Sequence, residues 1–406
     1  SNLGLLFLFK YFNFLNGSLR TVFTHFNLNY CVPNFKLLLP MGISFYTFQT
    51  LSYTIDVYRG NIKPEKHFGI FALYVSFFPQ LVAGPIERSE RLLPQFNEKH
   101  TFNYRRVTDG LKRMAWGFFK KVVIADRLAI LVNTVYNNPT NYKGISLVVA
   151  TIFFAFQIFC DFSGYSDIAI GSAQVMGFEL MENFNRPYFS KSISEFWKRW
   201  HISLSTWFRD YLYIPLGGNR VKVSRHYFNL FFTFLVSGLW HGANWTFVTW
   251  GALHGVYLIL GILFKPIKEM IAKVTRIDKV PFLHKMIKIF ITFNLVVFAW
   301  IFFRANNMHD AIYIVNNLFV DITNWTNIQY VKSSILNLGL NNFEFIIAIL
   351  SLIVMELIHT IQRSGSVIKS LQKKNLVLRW AVYYGILFFI VVFGVFSNSE
   401  FIYFQF

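Results

Sequence analysis

The stretch Phe228 to Leu260, FNLFFTFLVSGLWHGANWTFVTWGALHGVYLIL, is almost wholly apolar and yet holds two histidines, His241 and His254. The run from Tyr227 to Trp240 has fourteen residues, which as helix cover roughly 21 Å at ~1.5 Å per residue. The hydrocarbon core of a bilayer is ~30 Å thick, so a helix entering at one face still has His241 inside the membrane. Gly242, Ala243 and Asn244 then loosen the helix before apolar sequence resumes at Trp245. A histidine at that depth faces the protein interior or a water-filled cavity and marks a candidate functional site. The alternative is a buried histidine bonded to a nearby backbone carbonyl, and position alone leaves both open.

Comparable apolar runs recur along the chain. Hydrophobic residues make up 54% of it and charged residues 15%, against ~25% charged in a soluble domain. The residue-by-residue alternation of a membrane barrel is missing, so the expectation is an all-α membrane protein with several spans. The formal net charge of +19 sits in short loops between apolar runs. That is the signature of cytoplasmic loops facing anionic lipid, and it argues against a nucleic-acid partner. Cys31 and Cys160 form no metal or redox motif. The chain begins at Ser1, directly in the apolar LGLLFLFKYFNFL. It reads as a single polytopic domain over 1–406, a fragment lacking its natural N-terminus.

Several segments carry specific expectations. Val107 to Val132 reads as an amphipathic helix interrupted by Lys120 and Lys121, and Ile145 to Cys160 as a clean span. Asp161 to Gly177 is rich in small residues that let helices approach closely in lipid. Its Asp161 and Asp167 are expected to cap a helix or to bond a neighbour. Ser192 and Glu195 have capping-box spacing. Ile193, Trp197, Trp200, Leu204, Trp207 and Tyr211 follow at three- and four-residue intervals, predicting one helix to Tyr213 that lies at the membrane interface. His201 neighbours its apolar stripe. The basic stretches Lys265–Lys288 and Arg363–Arg379 are separated by two spans, and Ala305–Asn342 between them has one cation, Lys332. The positive-inside rule puts both basic stretches in the cytoplasm and Ala305–Asn342 outside.

SEFWKRWHISLSTWFRDYLYIPLGGNR followed by FTFLVSGLWHGANWTFVTWGALHG resembles the membrane-bound O-acyltransferase (MBOAT) superfamily. Within it, the chain is similar to the branch of alginate O-acetyltransferase membrane subunits and peptidoglycan O-acetyltransferases. PQLVAGPIERSERLLPQF, FCDFSGYSDIAIG and the terminal FIYFQF carry the same likeness. The resemblance implies a multi-span ring of helices with a tunnel through its centre, in the cytoplasmic (inner) membrane, and it implies that what is missing before Ser1 is further N-terminal spans. It makes His241, in SGLWHG, the signature histidine, and His201, in RWHIS, a second catalytic position that is Asn in many relatives. It also makes His254 in GALHG, Trp200, Trp240, Asn244, Arg209 and Asp210 candidates for substrate binding.

The implied activity is transfer of acetyl from cytoplasmic acetyl-CoA or a similar thioester to hydroxyls of an extracytoplasmic polysaccharide, alginate or peptidoglycan. No bound cofactor or metal is expected, and a periplasmic SGNH-hydrolase-like protein is the expected partner. Neutral imidazole suits the task, since a base near pH 7 must take the hydroxyl proton as the oxygen attacks. On this reading His241 is that base or a transient acyl carrier, and His201 or a nearby Trp or Asn holds the thioester carbonyl. The rival readings are a D-alanyl or lipid O-acyltransferase of the same superfamily, and a transporter or flippase with structural histidines.

Overall fold

The structure, a computed structural model, describes residues 2–38, 40–336, 338–362, 371, 373–396 and 401–402. Arg363 and Lys369 of the last basic stretch, and Tyr403 to Phe406 of the terminal motif, lie outside the described residues. Among the described residues the regular elements are all helical. A backbone in lipid must satisfy its own hydrogen bonds, and a helix does so within one segment. Among the described residues, five helices are long and apolar enough to cross a membrane: Ile145–Met176, Trp245–Leu263, Pro281–Arg304, Asn342–Gln362 and Leu376–Phe393. Val223–His241 is not one of them, its first turns carrying Ser224, Arg225, His226 and Asn229.

Ile145–Met176 is the centre of the fold. Its 32 residues reach about 48 Å at ~1.5 Å each, well beyond the ~30 Å hydrocarbon core. The span expected to end at Cys160 therefore continues through Asp161 to Met176. The small residues of that second half meet the helix Tyr104–Phe118. A Cβ on Gly117 would lie 2.6 Å from the Gly164 carbonyl oxygen, and one on Gly110 2.7 Å from that of Gly171. The two backbones touch at both points, which only glycine permits.

Asp161 and Asp167 cap nothing; they sit within the central helix and bond neighbours. Asp167 pairs with Lys120 at 2.7 Å and Arg113 at 2.9 Å, and Asp161 with Lys121 at 2.7 Å. Lys120 and Lys121 stand in a π-helical segment, Phe119–Ala125, between Tyr104–Phe118 and Asp126–Tyr136. The widened turn re-phases the helix so that two consecutive lysines both reach the central helix. Lys120 and Lys121 thus re-phase the expected Val107–Val132 helix and leave the chain helical on either side.

The main core lies where the central helix meets Trp197, Trp200, Trp250 and Trp300. Leu376–Phe393 stands at the edge, with no residue buried. Pro281–Arg304 begins within the basic Lys265–Lys288 stretch, and Ala305–Asn342 folds into short helices, among them Met308–Asn317 and Ile328–Leu336.

Candidate active site

His241 is the last residue of Val223–His241, and His254 lies on the antiparallel Trp245–Leu263. The two helices close on each other at glycines. A Cβ on Gly238 would stand 2.3 Å from the Phe247 carbonyl oxygen, and one on Gly251 2.3 Å from that of Phe234. Gly242 ends the first helix, and the Asn244 side chain caps the second by accepting from Thr246 N at 3.1 Å. Lys10, in a π-helical segment Phe7–Tyr11, clamps the end of the first helix. Its Nζ donates to the carbonyls of Trp240 (2.9 Å) and His241 (3.1 Å) and to Ser44 Oγ (3.3 Å). A cation at a helix C-terminus meets the carbonyls that have no intrahelical partner.

The helix expected to run unbroken from Ser192 to Tyr213 is three pieces. Ser192 does cap it, accepting from Glu195 N at 3.1 Å, but the first piece is only Ile193–Trp197. Ile202–Phe208 and the π-helical Arg209–Tyr213 follow. His201 stands at the break in a left-handed conformation, φ 44° and ψ 57°. Asn183 holds it there: its carbonyl accepts from Ile202 N (3.0 Å), and its Oδ1 from Ser203 N (3.2 Å) and Ser203 Oγ (2.7 Å). Ser203 Oγ in turn accepts from Ile86 N at 3.0 Å. Bonds of this kind, between residues far apart in sequence, leave no trace in helical periodicity.

These elements bring the three histidines into one buried aromatic chamber, with His201 and His254 at 0% and His241 at 4% exposure. Ring centroids are 6.4 Å apart for His201 and His241, 5.0 Å for His241 and Trp250, and 5.0 Å for Trp250 and His254. Trp240 joins the group, 4.9 Å from His241 and 6.1 Å from His201. His254 Nδ1 accepts from Trp197 Nε1 at 3.2 Å. A neutral imidazole that accepts at Nδ1 carries its proton on Nε2. Among the described residues, that Nε2–H and the indole N–H groups of Trp240 and Trp250 have no acceptor. A buried donor left unpaired costs about 1–3 kcal/mol. The chamber therefore offers ring nitrogens and N–H donors in a dry setting, where a developing negative charge is best stabilised.

The remaining expected site residues divide. Trp200 packs on Trp300 (5.1 Å) and Phe196 (5.5 Å), walling the chamber from behind. Asn244 spends both ends of its amide on structure, since its Nδ2 donates to the Asn306 carbonyl at 3.1 Å. Arg209 and Asp210 belong to a separate polar cluster with Arg88 and Tyr211. Next to that cluster, burial pushes the Glu87 carboxyl, in the loop before Ser89–Gln95, up to about 7. One Glu87 oxygen accepts from Met181 N. Among the described residues, no group of three His, Cys, Asp or Glu could hold a metal. A cavity of about 1200 Å³, bounded in part by Lys112, Lys120, Trp380 and Tyr383, reaches Asn183 and Phe184; the three histidines do not line it.

Comparison with known proteins bears on the same segment. The profile of MBOAT, the membrane-bound O-acyltransferase family, matches residues 66–305, which contain all three histidines. The chain is 46% identical over 313 residues to a probable alginate O-acetylase AlgI of Pseudomonas putida, covering 76% of this chain and 61% of that protein. It is 38% identical over 346 residues to a peptidoglycan O-acetyltransferase of Helicobacter pylori, covering 78% and 63%. A teichoic acid D-alanyltransferase of Streptococcus thermophilus is 31% identical over 299 residues, covering 66% and 69%. The chain spans about three-fifths of the length of the first two of these relatives.

Proposed function

The chain belongs to the membrane-bound O-acyltransferase family, and from that premise we propose that it passes an acetyl group from cytoplasmic acetyl-CoA toward hydroxyls of a polysaccharide outside the cytoplasmic membrane. The observation that carries the reading is the buried chamber, which holds His201, His241 and His254 beside N–H donors that have no acceptor among the described residues. His241 takes the proton from the attacking hydroxyl as its oxygen bonds the thioester carbonyl carbon. The tetrahedral oxyanion is received by N–H donors of the chamber, those of Trp240, Trp250 and His254 being the candidates. On collapse the C–S bond breaks, and the proton passes from the imidazole to the leaving thiolate. His201, across the chamber from His241, orients the thioester carbonyl.

Charge favours the direction of transfer. Val223–His241 starts beside Arg220, Lys222 and Arg225, and Trp245–Leu263 runs back to Lys265. Both basic ends belong in the cytoplasm, so the turn between the helices points outward, with His241 buried at the helix end just before it. A periplasmic acetyltransferase of the SGNH-hydrolase type is the partner that would complete the transfer. Acetyl is preferred to D-alanyl because the O-acetylating relatives are 46% and 38% identical and the D-alanyl one 31%. The test is purified protein in vesicles given acetyl-labelled acetyl-CoA on the side of the basic loops. Label leaving coenzyme A and reaching an acceptor in the opposite compartment supports the reading. Intact thioester with no movement of label overturns it.

A further inference from the structure

Arg209 and Asp210 open the π-helical turn that follows Ile202–Phe208, in a cluster that the histidine chemistry does not use. Asp210 is shared, its Oδ2 accepting from Arg88 Nη2 at 3.1 Å and its Oδ1 from Arg209 Nε at 2.7 Å. Arg88 and Arg59 both pack over the Tyr211 ring, their guanidinium carbons 4.5 and 5.7 Å from its centroid. The Tyr211 hydroxyl donates to Asp56 Oδ2. Three arginines thus surround two aspartates whose oxygens are already engaged, which leaves an excess of positive charge. Arg88 is 7% exposed, and its second nitrogen, Nη1, has no hydrogen-bond partner among the described residues. A buried guanidinium with half its fork unpaired is costly unless an anion completes it. Arg59 and Arg209 are exposed beside it.

We propose that Arg59, Arg88 and Arg209 form the recognition site for the phosphate of a phosphopantetheine-type thioester donor. The assignment rests on the thioester reading of the histidine chamber. The planar arginine fork matches phosphate oxygens two at a time and stays charged at any physiological pH. Distance fits as well. Asp210 lies nine residues beyond His201 along one helical segment, or about 14 Å at ~1.5 Å per residue. From phosphorus to sulfur, phosphopantetheine has about thirteen bonds, roughly 15 Å at the advance per bond of an extended peptide. A phosphate held by the arginines therefore lets the thioester reach the level of His201. The helix Ile43–Tyr58 spans the same interval, with Phe45 6.3 Å from His201 at one end and Asp56 on Tyr211 at the other. The cluster also adjoins the basic segment Arg220 to Arg225, the end assigned to the cytoplasm by charge.

Equilibrium binding to the full chain in lipid nanodiscs tests this with three probes: desulfo-coenzyme A, 4′-phosphopantetheine and pantetheine. The double variant Arg59→Gln/Arg209→Gln alters only exposed positions and keeps the buried ion pair of Arg88. Arg88→Lys keeps the charge and removes the fork. Each is expected to weaken both phosphate-bearing probes roughly ten- to a hundredfold, the loss for a charge-assisted hydrogen bond, and to leave pantetheine unchanged. A loss confined to desulfo-coenzyme A overturns the proposal, because the arginines would then hold the nucleotide phosphates and not the phosphate of the pantetheine arm. Equal weakening of all three probes overturns the proposal, because the arginines would then act on the fold alone. Unchanged binding of all three likewise overturns it, and leaves the thioester reading intact. Wild-type protein that binds none of the probes sinks the donor reading and the proposal with it.

Discussion

His201 holds a backbone conformation that costs an ordinary L-residue on the order of 1 kcal/mol and that Asn adopts more readily than Ala. The Asn that the family resemblance allows at this position therefore has a backbone reason as well as a chemical one. His201→Asn is expected to fold normally and keep part of the activity. His201→Gly, free of backbone strain, is expected to fold and to be inactive. His201→Ala should be inactive and melt below the glycine variant. Melting in detergent and thioester consumption read this out, and a fully active His201→Gly enzyme would remove the ring from the mechanism. Glu87 gives a pH test. Its carboxyl, raised by burial from 4.5 to about 7, binds more protons folded than unfolded in that interval, so stability falls as pH rises through it and levels off above. Melting points in detergent should decline from pH 4.5 to about 7, and Glu87→Gln should flatten the decline; an unchanged slope in that variant contradicts the assignment. The histidines were legible in the sequence because each interrupts apolar or aromatic residues. Lys10 sent the same signal, a lone cation within LGLLFLFKYFNFL, but its carbonyl partners lie some 230 residues away and no local pattern announces them.

The helices that sequence places best are long apolar ones, such as Asn342–Gln362 and Leu376–Phe393. It places worst the elements that polar contacts re-phase. Three π-helical segments, Phe7–Tyr11, Phe119–Ala125 and Arg209–Tyr213, each present a charged side chain to a distant partner. A period of 3.6 cannot register an inserted turn. Close approach, in contrast, is written in glycine. Gly238→Ala would push its new methyl against the Phe247 carbonyl oxygen, 2.3 Å away, and force apart the helices of His241 and His254. Overpacking of this kind costs about 1–3 kcal/mol. The variant is expected to melt lower and to lose most of its activity, whereas Gly261→Ala, whose Cβ meets nothing within 4 Å on Trp245–Leu263, is expected to do neither. Equal behaviour of the two variants would contradict the role of the glycine contact.

At the scale of the molecule, the account needs both basic stretches on one side of the membrane and the Ala305–Asn342 segment on the other. Cys31 is exposed and Cys160 buried, so labelling is cleanest in a Cys31→Ser, Cys160→Ala background. An impermeant thiol reagent on intact cells should mark Asn324→Cys and leave Lys273→Cys and Lys374→Cys unmarked; label at 273 reverses the orientation. Charge in loops made this sidedness readable from sequence, whereas the assembly of the chamber from Asn183, Ile86, Lys10 and the two glycine-packed helices was not, because each of its contacts joins distant segments. The central claim is that His241 performs the transfer at that outward turn. The most direct measurement compares wild type with His241→Ala, both eluting as folded protein from a sizing column, for transfer of labelled acetyl from acetyl-CoA. The account predicts that the variant keeps the wild-type elution profile and transfers no label above background. A normally eluting His241→Ala protein that transfers acetyl at the wild-type rate would contradict it.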